Sequence, residues 1–203
     1  MTLTSIPTKQ LTFTEFLEQL PDDAGRYELV NGEIVRTLAT RQHDNIADFI
    51  ARQFDKEVER LHLNYRVSGR VVVRTLTANG REQGRQPDVS IVDKTLWNSN
   101  PSAYTAFIEP LQLAVEIVST NWEDDYVDKL DEYQRLGISE YWIVDYLAIA
   151  SRSYLGNPKI PTIFVYQLDK TGIYQHQSYQ GLDLILSPTF PELQLTVEQI
   201  LNP

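Results

Sequence analysis

Apolar positions along the chain follow two periods, and the switches between them predict the elements. Between residues 43 and 61, Ile46, Phe49, Ile50, Phe54, Val58 and Leu61 recur at three- and four-residue spacing. That spacing predicts an amphipathic helix of about five turns. A shorter helix is predicted over 12–20 (TFTEFLEQL), where Thr12 followed by Glu15 forms a capping-box pattern. The run RYELVNGEIVRT places two β-rich stretches around Asn31-Gly32, the strongest short-range hairpin signal. Residues 65–76 (YRVSGRVVVRTL), 86–93 (QPDVSIVD) and 111–118 (LQLAVEIV) predict three strands. A second helix over 124–136 ends at Gly137, a natural C-terminal stop. It leads into EYWIVDY (140–146), which reads as a buried strand. A further hairpin is predicted over 162–168 and 173–179 around Lys170-Thr171-Gly172, and a closing helical turn over 196–201.

The core order is therefore helix, three strands, helix, strand. It predicts an α/β (α+β) fold with a mixed central sheet flanked by helices and β-hairpins added at both ends. With no internal repeat and no low-complexity linker, residues 1–203 read as one domain. Its core runs over about 40–146, with hairpin additions at 26–38 and 150–187.

Composition narrows the function. Apolar residues at 42% and charged residues at 23% exclude a disordered chain. The absence of cysteine removes a disulfide framework, a thiolate nucleophile and Cys-ligated zinc. No apolar run approaches the roughly 18 residues of a membrane span. The opening MTLTSIPTKQ also lacks a signal-peptide pattern. A soluble, cytoplasmic protein is expected, with no membrane partner. The net charge of −10 argues against a bulk nucleic-acid coat, which gains its affinity by neutralising phosphates. It argues less against an enzyme that meets nucleic acid through a bound cation.

Candidate chemistry centres on two carboxylates. Asp88 follows Pro87 at the head of one predicted strand, and Glu116 interrupts the apolar run LQLAV-E-IV in another. If those strands pair, the two acids lie side by side and form a hard oxygen site suited to Mg²⁺. Such an ion polarises a phosphodiester and acidifies a bound water. The plain alternative is a strand end at which Glu116 meets solvent or an arginine. Asp125, Lys129 and Tyr133 are four apart and share a helical face, so Lys129 either makes a surface ion pair or stands near a scissile phosphate. In the second case Asp125 or Tyr133 holds it in place. His43 opens the long helix as a site contact or a surface polar group. Glu28 is a further acid, or the partner of Arg26 or another base. No Gly-x-Ser-x-Gly elbow, His-Glu-x-x-His helix, phosphate loop or dinucleotide fingerprint is present, so metal-assisted hydrolysis remains by elimination.

The succession RYELVNGEIV, His43, Pro87-Asp88-Val89, VEIVS, D-x-x-x-K-x-x-x-Y and GISEYWIVD resembles the Uma-two family. That family consists of restriction-endonuclease-like proteins of the PD-(D/E)XK superfamily, and the resemblance spans about residues 10–200. It implies a metal-dependent endonuclease acting on nucleic acid, with DNA as the expected substrate. Asp88 and Glu116 match the two acids that hold Mg²⁺ (or Mn²⁺), and no organic cofactor is implied. The superfamily usually carries a lysine two residues after the second acid. Here that position is Val118, and Lys129 matches a lysine moved to the next helix. Asp88, Glu116 and Lys129 are thus the implied catalytic set, with Glu28, His43, Asp125 and Tyr133 as accessories. A homodimer is a further expectation. Two competing readings are an inactive module of the same fold that binds nucleic acid or protein, and a regulatory part of a larger complex.

Overall fold

The computed structural model describes residues 10–23 and 25–203. Most of the opening segment read above for a targeting signal lies outside them. In chain order the elements are α1 (Phe13–Glu18), β1 (Arg26–Val30), β2 (Glu33–Thr37), α2 (Arg41–Arg60), β3 (Tyr65–Ser68), β4 (Val72–Leu76), β5 (Glu82–Arg85) and β6 (Val89–Asp93). There follow α3 (Lys94–Asn98), β7 (Ala106–Phe107), β8 (Leu113–Ile117), a π-helical turn (Asp124–Asp128), α4 (Lys129–Leu136) and β9 (Glu140–Asp145). The chain closes with α5 (Arg152–Leu155), β10 (Thr162–Leu168), β11 (Tyr174–Tyr179) and α6 (Val197–Leu201).

Local chemistry accounts for the ends of these elements. The Thr12 hydroxyl accepts from the Glu15 N–H, and the Glu15 carboxylate accepts from the Thr12 N–H, which closes the capping box of α1. Asn31 and Gly32 have φ of 54° and 84°, the left-handed pair that a two-residue hairpin turn needs between β1 and β2. Gly137, at φ 93°, ends α4.

The strands form two sheets. A six-stranded sheet has the order β11-β10-β9-β8-β6-β3, with β8 and β9 parallel and the other neighbours antiparallel. A five-stranded sheet has the order β2-β1-β5-β4-β7. The larger sheet is buried on both faces. On one, Ile46, Ile50 and Phe54 of α2 pack on Val89, Ile91, Val115, Ile117 and Trp142. On the other, Tyr126 and Tyr133 pack on Ala114, Val118, Tyr141 and Ile143. Each such fully buried apolar side chain contributes about 1.5–3 kcal/mol. The predicted core order is present as α2, then β3, β6 and β8, then α4 and β9.

One predicted strand is corrected. Residues 65–76 form two strands in different sheets, β3 pairing with β6 and β4 with β5. The break falls at Gly69, where a Cβ would stand 3.0 Å from the Asp88 carbonyl, so the chain turns away there close against the next strand. β5 and α3 were not predicted, because EQGR lacks β-branched residues and KTLWN spans little more than one turn. Gly84 in β5 is needed for closeness: a Cβ would come within 3.0 Å of the Phe16 ring, where α1 packs on the smaller sheet. No helix among the described residues is long and apolar enough to cross a membrane.

Candidate functional site

β6 and β8 pair antiparallel with Val89 opposite Val115, and the Asp88 N–H donates to the Val115 carbonyl. That register sets Asp88 and Glu116 side by side, as strand pairing required. The two-residue period then decides which way Glu116 points. Leu113, Val115 and Ile117 of β8 face α2, whereas Ala114, Glu116 and Val118 face α4. The superfamily's usual lysine position, Val118, is fully buried in that apolar layer.

The helix beyond the sheet brings the lysine instead. Lys129 follows the π-helical turn, and its Nζ lies 3.0 Å from Glu116 Oε2, 3.3 Å from Asp125 Oδ1 and 3.4 Å from Glu28 Oε1. The pair with Asp125 is the expected i,i+4 pair, but it is buried. Tyr133 takes a different place from the one anticipated: its hydroxyl donates to Glu116 Oε1 at 2.6 Å and holds the carboxylate, while Asp125 holds the lysine. Glu28 pairs with Arg85 and Lys129 and not with Arg26.

Asp88 is held from three sides. Arg26 Nη2 lies 3.0 Å from Oδ1, His43 Nε2 3.1 Å from Oδ2, and the Ile117 N–H donates to Oδ2 at 2.8 Å. His43 is therefore a buried contact of the site, and its Nδ1 has no hydrogen-bond partner. A cleft of about 290 Å³ opens over Asp88, Glu116, Lys129, His43, Glu28 and Asp125.

Sequence reasoning missed the scaffold behind this cluster. Arg85 of β5 forks onto Glu132 of α4, Nε to Oε2 at 2.8 Å and Nη2 to Oε1 at 2.7 Å, and reaches Glu28 at 3.3 Å. The Thr75 hydroxyl also donates to Glu132, at 2.6 Å. The network ties the smaller sheet to α4 and fixes Glu28 against the lysine. Its one sequence signal is an arginine in a weak β-stretch just ahead of Pro87-Asp88.

Burial and the neighbouring charges both act on the acids of the cluster. Burial pushes the Glu116 carboxyl up to about 8; Lys129 opposes that rise, while Asp88, Asp125 and Glu28 add to it. Burial likewise pushes Asp125 up to about 6. Burial acts the same way on Asp88, but the hydrogen bond and charge of His43, with Arg26 and the Ile117 N–H, outweigh it and hold Asp88 below its ordinary range. Lys129 is kept charged: burial disfavours the ammonium, yet Glu116, Glu28 and Asp125 raise it well above the usual lysine range. Among the described residues no group of three or more His, Asp and Glu side chains is arranged to cage a metal. Asp88 and Glu116 are the pair that could hold a divalent ion, which takes one or two carboxylates and completes its shell with water and phosphate oxygens.

The mixed sheet between α2 and α4, with this cleft at the ends of β6 and β8, defines a restriction-endonuclease-like protein. The chain belongs to the Uma2 family, described as "Putative restriction endonuclease", whose model matches residues 13–198. The crystal structure of "a putative nuclease belonging to DUF820" from Anabaena variabilis ATCC 29413 shares the fold. Its TM-score is 0.69 at 18% identity, over 95% of this chain and 98% of that one. No curated protein matches the chain.

Proposed function

We propose that the chain is a metal-dependent endonuclease that hydrolyses phosphodiester bonds of DNA, with Mg²⁺ (or Mn²⁺) held by Asp88 and Glu116. The observation that carries this reading is the Lys129 ammonium 3.0 Å from Glu116, inside a cleft that also holds Asp88. The acids that surround Glu116, namely Asp88, Asp125 and Glu28, support a cation there. A divalent ion so bound would supply Lewis-acid polarisation of the phosphodiester and a more acidic water. Lys129 neutralises the negative charge that grows on the phosphate oxygens. Asp125 and Glu28 fix that ammonium from two sides, Tyr133 orients Glu116, and Arg26 and His43 orient Asp88. The reading includes a cytoplasmic homodimer, and a monomer in sedimentation at micromolar concentration removes the dimer from it.

The test is a titration of Mg²⁺ and Mn²⁺ into the wild type and Glu116→Ala, followed by heat and melting temperature, with cleavage assays on both and on Asp88→Ala. Saturable binding in the wild type alone, with cleavage reduced about a thousandfold in either variant, is expected. A second reading, an inactive binding module, is favoured by the protein groups that already meet both Asp88 oxygens. Folded wild type that binds neither ion and cleaves nothing would establish it.

A further inference from the structure

Each of the two sheets ends in two edge strands, and the four edges are not alike. In the smaller sheet, β2 carries Glu33 and Arg36, and β7 is two residues long. In the larger sheet, β3 is four residues long and carries Arg66. Charge and shortness are the usual guards against edge-to-edge pairing. β11 has neither. Its six residues, YQHQSY, include no Asp, Glu, Lys, Arg or Pro, and its register with β10 runs unbroken from Tyr174 to Tyr179. Bonded and non-bonded pairs alternate along an antiparallel ladder, and the Asp169 N–H donates to the Ile173 carbonyl where this one starts. Gln175, Gln177 and Tyr179 therefore bond to β10, while Tyr174, His176 and Ser178 turn their backbone groups outward. The Tyr174 N–H donates to Gln134 Oε1 at 2.8 Å, which leaves the His176 and Ser178 groups as an open template. Just beyond the strand Leu182, Leu184 and Leu186 are exposed, and Leu186 joins Gln175, Gln177 and Tyr179 around a cavity of about 430 Å³.

We propose that β11 pairs antiparallel with β11 of a second copy of the chain; this gives a surface to the homodimer of the reading above and rests on that part of it. A two-fold axis at Gln177 sets His176 opposite the partner's Ser178, and the outward backbone groups then bond both ways. Gln177 meets the partner's Gln177, and Gln175 meets the partner's Tyr179. The contact needs no second kind of surface, only the same strand twice. It is also uncharged along its whole length, which suits two chains that each carry a net charge of −10 and otherwise repel. The register further fixes where the clefts lie. Tyr179 stands at the same end of the sheet as Asp145, which leads into the cleft at Tyr146 and Leu147. Antiparallel pairing reverses the partner's strands, so the two clefts open at opposite ends of the joined sheet. Each cleft therefore works by itself.

The chain has no cysteine, so a single introduced thiol reports the register. Gln177→Cys sets two thiols across a closely spaced pair, with Cβ atoms about 4.5–5.5 Å apart and near disulfide reach. Gln175→Cys on the same strand sets them four residues apart along the ladder, roughly 13 Å. Mild oxidation should link Gln177→Cys into a covalent dimer and leave Gln175→Cys unlinked. Sedimentation of the wild type at micromolar concentration should show a dimer. Gln177→Lys, which places like charges opposite each other, should raise its dissociation constant about fivefold. Both positions are exposed, so the fold is kept in all three variants. A monomeric wild type, a dimer in which Gln177→Cys fails to link, or equal linking of both cysteine variants overturns the interface. Mg²⁺ binding and cleavage by the linked dimer should equal those of the wild type, because the clefts face apart. A linked dimer whose wild-type parent also binds no ion and cleaves nothing would keep the interface and end the nuclease reading, so the two failures are told apart.

Discussion

Two groups of buried carboxylates sit on neighbouring strands of the larger sheet, and they are stabilised in opposite ways. On β9, Glu140 accepts from the Trp142 indole N–H at 2.6 Å and the Thr189 N–H at 2.7 Å. Asp145 accepts from the Ile149 and Ala150 N–H groups and the Tyr126 hydroxyl. Every one of those donors is neutral. On β8 and beside β6, Glu116 and Asp88 are met by charged groups, Lys129 and Arg26, and they line a cleft. A carboxylate satisfied by fixed neutral dipoles has nothing left to offer a ligand. One balanced against charged side chains in a cavity can exchange that partner for another cation. The contrast separates structural acids from candidate functional ones where burial alone, nearly complete for both groups, cannot.

The strongest way to break the comparison is to remove a cation from the cleft side. Arg85→Ala leaves Glu132 without its bidentate partner and Glu28 with one neighbour fewer, in a region closed to water. Uncompensated buried charge is costly, so a loss of about 3–5 kcal/mol in denaturant unfolding is expected. A loss under about 1 kcal/mol would mean that the cluster relaxes and admits water. On the β9 side the corresponding change is milder. Glu140→Gln keeps one acceptor oxygen but turns an NH₂ toward a group that also donates, so either Trp142 Nε1 or the Thr189 N–H goes unpaired. The expected cost is about 1–3 kcal/mol, with Mg²⁺ binding and any cleavage unchanged. Altered metal binding in Glu140→Gln would erase the distinction between the two groups.

Those two arginine and glutamate positions also show where the sequence stops being legible. Glu116 stood out because a charge broke an apolar strand, and the core order of helices and strands followed from periodicity and from Asn31-Gly32. Asp125 and Lys129 could be linked because a helix brings neighbours four apart together. Arg85 could not: its partners Glu28 and Glu132 are 57 and 47 positions away, on another strand and another helix. Nothing local encodes such a meeting. The division of 65–76 between two sheets was hidden for a related reason, since β3 and β4 are equally β-rich. Only the close approach of Gly69 to Asp88 separates them.

The last test sharpens the comparison most, because it concerns one proton. Burial raises the Glu116 carboxyl from its ordinary 4.5 to about 8, so the folded protein keeps a proton there that the unfolded chain releases. The resulting stability is fully present below pH 4.5 and is lost as pH rises through 8. Glu116→Gln has no such proton to lose, and its neutral amide resembles the protonated acid. At about pH 4.5 and below, where that stability is fully present, the variant should therefore match wild type within about 1 kcal/mol. Between pH 5 and 9, in the absence of divalent ions, wild type should lose stability relative to the variant, nearly all of it between pH 5 and 8. Asp125, raised to about 6, and Glu140, also raised by burial, titrate in both proteins, so the difference between the two curves isolates Glu116. Parallel curves would mean that Lys129 already neutralises Glu116 in full, and with that the case for an additional cation at this carboxylate falls.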